Sequence, residues 1–174
     1  NVILDAALKD QELTGELWSG NQELDLGMKF RLRADENAYK ISLNGDLENV
    51  DLKGLHFTPE NMAFSLGLDV NAELKSDSTS SLQAVFSNIV LQDFATRKLG
   101  NLEVTFSGLQ NKTLLDVKAG DLTMKFEGDG GGYALVDRFS VASGLLVEQI
   151  EKHDFNMEKL NELLPDFRLT IDAQ

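Results

Sequence analysis

Asp46, Glu48 and Asp51 are the densest cluster of side chains with acid–base potential in the chain. Two carboxylates held a fixed distance apart are the machinery of glycoside hydrolysis. With 29 acids in 174 residues, however, such neighbours arise by chance. No Gly-x-Ser-x-Gly elbow presents a serine nucleophile. His56 and His153 are the only histidines, and neither has zinc-ligand spacing. His56 falls in strand phase with polar positions, between Leu55 and Phe57, and His153 lies in an acidic break beside Glu151 and Asp154. Cysteine is absent, which removes thiolate ligands, disulfides and a thiol nucleophile. No Asp-x-Asp-x-Asp-Gly loop signals calcium. Gly128-Asp-Gly-Gly-Gly132 invites a phosphate-loop reading, but it lacks the Lys-Ser/Thr pair and Asp129 would repel an anion. A strand-to-helix hinge suits it better. Lys29, Arg31 and Arg33 put three cations on the wet side of one strand. They read as a contact for an acidic partner or, preferably, as a solvated face that discourages edge pairing. The expectation is a non-enzymatic chain with no catalytic, cofactor-binding or metal-binding residues.

Net charge is −13, which opposes binding to nucleic acid and adsorption to an anionic membrane surface. No apolar run approaches the roughly 18 residues of a membrane-spanning helix. Hydrophobic content of 42% against 26% charged places the chain among globular proteins, and its length suits one domain. It opens Asn1-Val-Ile-Leu-Asp5 with no basic leader, in the middle of a strand pattern, which reads as a piece of a longer protein.

Positioning elements follow from periodicity. Over Asn61–Lys75, Met62, Phe64, Leu66, Leu68, Val70, Ala72 and Leu74 alternate with small or polar residues. That is a strand with one dry and one wet face, about 40 Å long. Leu24, Leu26, Met28, Phe30 and Leu32 alternate in the same way, as do Tyr39, Ile41, Leu43 and Leu47. Asn44-Gly45 reads as a bulge or a strand-interior glycine rather than a hairpin turn. Val50, Leu52, Leu55 and Phe57 are expected to form a further strand with a phase slip at Gly54. Another slip separates Phe86 from Ile89. Leu102–Phe106, Leu114 or Leu115 to Ala119, and Leu122–Phe126 continue the meander.

Beyond residue 128 the period changes. Leu135, Phe139, Ala142, Leu146 and Ile150 form a helical stripe that Leu145 widens, Asn156 can cap a second helix, and Pro165 ends it. Phe167, Leu169, Ile171 and Ala173 return to strand. The expected domain is therefore a single β-rich unit over 1–174. It comprises a meander over 1–128, a helical insert over 133–164 and a return strand over 167–174. The expected fold is mostly β with a minor helical part: a large curved antiparallel sheet, groove or half-barrel, wrapping one or two helices. The candidate groove lining is Met62, Phe64, Leu66, Leu68 and Val70 with Leu24, Leu26, Met28 and Phe30.

Long alternating strands with the punctuation Gly45-Asp-Leu-Glu-Asn-Val-Asp-Leu-Lys-Gly54, and the run Leu160-Asn-Glu-Leu-Leu-Pro-Asp-Phe-Arg-Leu169, resemble the AsmA-like and TamB-type group of bacterial envelope proteins. That resemblance implies a periplasmic β-groove segment of a parent anchored at the inner membrane. It also implies phospholipid acyl chains or outer-membrane assembly proteins as partners, in phospholipid transport or outer-membrane protein assembly. A helix inside the sheet departs from the pattern and would plug the groove. Two other classes stay open: a structural or adhesive β-domain of a surface protein, and a lipoprotein-carrier-like half-barrel with a helical lid.

Overall fold

The computed structural model describes residues 2–75, 78–152, 156–163 and 166–173. Within the helices, some side chains, those of Leu135 and Phe139 among them, lie outside what is described, as do His153, Leu164 and Pro165. The strands are β1 (Val2–Lys9), β2 (Glu12–Gly20), β3 (Leu24–Asp35), β4 (Ala38–Asp51), β5 (Ala63–Lys75), β6 (Ser80–Gln92), β7 (Thr96–Lys98), β8 (Leu102–Gly108), β9 (Lys112–Ala119), β10 (Leu122–Asp129) and β11 (Phe167–Ala173). Two helices, α1 (Gly132–Lys152) and α2 (Met157–Leu163), sit between β10 and β11.

All strands belong to one antiparallel sheet in the order β1-β2-β3-β4-β5-β6-β8-β9-β10-β11, and the short β7 pairs with the far end of β6. The protein is thus mostly β with a minor helical part, as its periodicity predicts. Along this path short turns place most strands beside their predecessors, while residues 52–62 link β4 to β5 and the two helices link β10 to β11. Asp10 and Gln11 both take positive φ (49° and 63°), the geometry of a two-residue hairpin between Lys9 and Glu12.

Two bulges account for the slips in phase. Register shifts between Leu47 and Val50 on β4, so Leu47 and Val50 keep the same face across three positions. Asn88 on β6, with φ of 51°, absorbs the slip between Phe86 and Ile89. Gly45 lies in the strand interior, and the bulge falls a few residues later. The strand expected over Val50–Phe57 does not form. β4 ends at Asp51, and a turn follows in which Asp51 Oδ1 accepts the Lys53 and Gly54 amides at 3.0 Å each. That carboxylate offers the backbone a turn in place of a ladder. β5 starts at Ala63, so Met62 precedes it, and the Met62 carbonyl accepts the Leu52 amide at 2.9 Å.

Buried side chains are few. Leu26, Val50, Ala84 and Ala142 are the buried hydrophobic residues among those described. The chain exposes 12261 Å². A compact monomer of 19.2 kDa exposes about 8,400 Å², so the chain leaves roughly 3,800 Å² more surface in water than a compact fold of its mass.

Close approach makes Gly45 obligatory. A Cβ on Gly45 would run into the Gly27 carbonyl oxygen and the Met28 backbone, whereas one on Gly27 would meet nothing within 4 Å. Gly45→Ala should therefore cost about 1–3 kcal/mol, because backbone must shift. Gly27→Ala should be neutral or stabilise by about 0.5 kcal/mol through a less flexible unfolded chain. Equilibrium urea unfolding of the two variants checks the contrast.

Candidate functional site

Residues directly opposite in an antiparallel ladder share a face, so the register assigns every strand residue to one side. Leu4–Leu17–Met28–Gly45–Leu68–Phe86–Leu102–Ala119–Leu122–Ala173 forms one unbroken cross-strand row. Leu8–Leu13–Leu32–Ile41–Ala72–Leu82–Phe106–Leu115–Phe126–Leu169 forms another. No Asp, Glu, Lys or Arg occupies this face on any strand of the ten-strand path. At about 4.8 Å per strand it is about 43 Å wide.

Eight of the nine groove residues expected from sequence lie on this face. Leu24, Leu26, Met28 and Phe30 come from β3, and Phe64, Leu66, Leu68 and Val70 from β5. Between them, β4 contributes Ile41, Leu43, Leu47 and Val50. Phe30 lies across Gly15, where a Cβ would meet the ring at 2.5 Å, so the missing side chain on β2 makes room for an aromatic on β3. Most of these side chains are partly exposed, and Leu26 is buried at 6%. Toward the β1 edge the face lies open, with Leu4 63% exposed.

The apolar residues of β8 to β11 extend the face beyond the lining expected from sequence. Their alternation was plain, but only the register joins them to β3–β5. One row at the end of these strands is small: Ser80–Gly108–Thr113–Gly128. Here α1 begins. Thr113 is buried and its hydroxyl donates to the Gly130 carbonyl at 2.9 Å. Gly130 takes a φ of 103°, open to glycine and strained for other residues, and the Phe106 ring stands 3.0 Å from a Cβ built on Gly132. The small row thus makes room for the first turn of α1 at one end of the face.

Among the described side chains of α1, Ala142 and Gln149 are buried and Leu145 partly so, while Leu146 and Ile150 of the expected stripe are exposed. Gln149 is tied to the start of α2. Its amide donates to the Asn156 carbonyl and its oxygen accepts the Asn156 amide, both at 3.1 Å. Asn156 Oδ1 caps α2 through the Lys159 amide at 3.0 Å.

The opposite face carries the charged residues of the sheet, with a few apolar ones (Ile3, Trp18, Val85) among them. Lys29 pairs with Glu16 at 3.1 Å, Arg31 with Glu12 at 3.5 Å, and Arg33 with Asp35 at 2.8 Å. The three cations of β3 are therefore engaged by the protein's own acids. Ser42, Asn44, Asp69 and Asn71 form a hydrogen-bonded ladder across β4 and β5. Two shallow hollows of about 480 and 470 Å³ lie on this side, lined chiefly by such side chains. Of the clustered acids, Asp46 faces Gly67 on this side and Asp51 serves the turn. His56 lies in that turn, not in a strand; its φ is 66° and its Nδ1 stands 2.8 Å from the Gly54 carbonyl.

No family model, curated protein or solved structure matches the chain. No helix among the described residues is long and apolar enough to cross a membrane.

Lys112, by hydrogen bond and then by charge, with Arg168 adding, holds the Glu127 carboxyl below its ordinary range. Lys40 and Arg33 do the same for Asp35. Carboxylates lowered in this way favour the folded state fully above their unfolded value, and lose that contribution as pH falls through the folded one. The melting temperature should therefore fall on acidification below the ordinary glutamate value of 4.5. Glu127→Gln should melt lower than the natural chain at neutral pH and converge with it in acid. Thermal melts across pH at low salt, where exposed pairs are least screened, check this.

Proposed function

We propose that this chain is a non-enzymatic cell-envelope domain of the AsmA- and TamB-like kind. Its apolar sheet face takes phospholipid acyl chains, in lipid transport or in outer-membrane protein assembly. The observation that carries this reading is the charge-free face running from β1 to β11, with roughly 3,800 Å² of surface beyond what a compact monomer of this mass leaves in water. A surface of that kind needs an apolar occupant. Acyl chains suit it because each methylene moved out of water gains about 0.8 kcal/mol without any specific polar contact. The charged face, which carries several cross-strand ion pairs, keeps the loaded domain in water. The setting this implies is the periplasm, with the parent protein anchored at the inner membrane. A second reading, a half-barrel carrier with a helical lid, is favoured by α1, whose Val141, Val147 and Ile150 are exposed.

Native mass spectrometry of the domain purified from a bacterial envelope, beside Leu66→Glu/Leu68→Glu, tests the proposal. Phospholipid should accompany the natural chain and be lost from the variant while its β-sheet circular dichroism persists. A natural chain that carries no lipid, or a folded variant that carries as much, would contradict it.

A further inference from the structure

Phe94 and Phe57 are the most exposed large apolar side chains among those described, at 99% and 78%. Exposed apolar residues scattered singly need no explanation, but these two share a place. Residues 52–62 link β4 to β5, and the turn 93–95 links β6 to β7. Both segments leave the sheet beyond one cross-strand row, Asp51–Ala63–Gln92. Where the first joins β5 and the second leaves β6, the strands are neighbours about 5 Å apart. The two rings thus stand at the same end of the sheet.

Backbone and side-chain bonds hold both tips. The Phe57 amide donates to the Leu52 carbonyl at 2.8 Å, and the Leu55 amide to the Asp51 carbonyl at 3.0 Å. At the other tip, Asp93 Oδ1 accepts the Ala95 amide at 3.0 Å and Asp93 Oδ2 accepts from the Arg97 guanidinium at 2.7 Å. Those bonds fix the turn whatever side chain follows Asp93, so a polar residue would serve the fold as well as Phe94 does.

We infer that this end of the sheet seats on a zwitterionic phospholipid bilayer, with Phe57 and Phe94 entering the boundary between headgroups and acyl chains. Charge favours that partner. Over residues 51–62 and 93–98, Lys53, Arg97 and Lys98 match Asp51, Glu60 and Asp93 in number, so these segments have no share in the net charge of −13. An uncharged bilayer surface does not repel them, whereas the acidic remainder of the chain opposes an anionic one. Continuity with the charge-free face favours it too. The large apolar row Leu24–Val50–Phe64–Leu91 lies beside these segments. The small row over which α1 begins lies at the opposite end of the strands. The bilayer would then be the source of the acyl chains proposed above, and that part rests on the acyl-chain reading. Adhesion to the bilayer does not.

Sedimentation with phosphatidylcholine vesicles should carry down the natural chain equally at low and high salt, because apolar insertion is not screened. Phe57→Ser/Phe94→Ser should weaken partitioning tenfold or more with circular dichroism unchanged. Leu66→Glu/Leu68→Glu should still sediment with vesicles, so bilayer contact and acyl loading are read separately. With the single tryptophan removed by Trp18→Phe, Phe94→Trp should emit further to the blue on vesicles and be quenched by brominated acyl chains. A natural chain that stays in the supernatant, or a Phe57→Ser/Phe94→Ser variant that binds as well, would overturn the inference. So would vesicle binding lost only in Leu66→Glu/Leu68→Glu, or light scattering in which the phenylalanines drive self-association and no vesicle binding.

Discussion

Every strand from β2 to β6 and from β8 to β10 has a backbone partner on both edges, and that ladder orients every side chain of the sheet. In most domains of this size a shared core fixes the elements. Here the buried hydrophobic residues are few and three of them lie on different strands, Leu26, Val50 and Ala84. Register takes over the core's task. A slip of one residue at any strand would carry its apolar residues to the polar side and its charges to the dry side. The two bulges show how tightly this is held, because each restores the facing of Val50 or Leu91 after an extra residue.

The function proposed for the chain follows from what that register leaves uncovered. A second sheet or a full layer of helices would convert the dry face into a core. Instead, α1 begins over the small row at the end of β8–β10, and much of its own apolar surface is exposed. Charges are confined to the other side, where Glu16–Lys29, Glu12–Arg31 and Lys112–Glu127 pair across neighbouring strands. Cross-strand pairs of this kind contribute modestly each, about 0.2–1 kcal/mol, but they also penalise misregister. The same arrangement that specifies the sheet therefore produces an amphipathic slab, free of charge on one side and bearing the sheet's charges on the other.

Much of this was legible in the sequence because one-sided burial writes itself as a period of two. The unbroken alternation from Phe64 to Leu74 has a single reading, and so does the Leu24–Leu32 run. What stayed illegible depends on a single backbone angle or a single side chain. Asp10-Gln11 forms a tight hairpin without the glycine or asparagine that usually announces one. Leu52, Leu55 and Phe57 have strand-like chemistry, but the Asp51 carboxylate captures the amides that would have continued the ladder. Gln149 lies off the expected apolar stripe, yet it is buried, because its amide makes two hydrogen bonds to the Asn156 backbone. The face as a site was visible strand by strand, and only the pairing order could show that it runs the full width of the sheet.

The most direct measurement places a polarity-sensitive fluorophore on single cysteines introduced at Val70 and at Asn71, neighbours on opposite faces of β5, in a chain with no other cysteine. Phosphatidylcholine is then added. The account predicts a blue shift and enhanced emission for the label at Val70, saturating with lipid, and no change at Asn71. Equal responses at the two positions, or none at Val70, would contradict the claim that the apolar face of the sheet receives acyl chains.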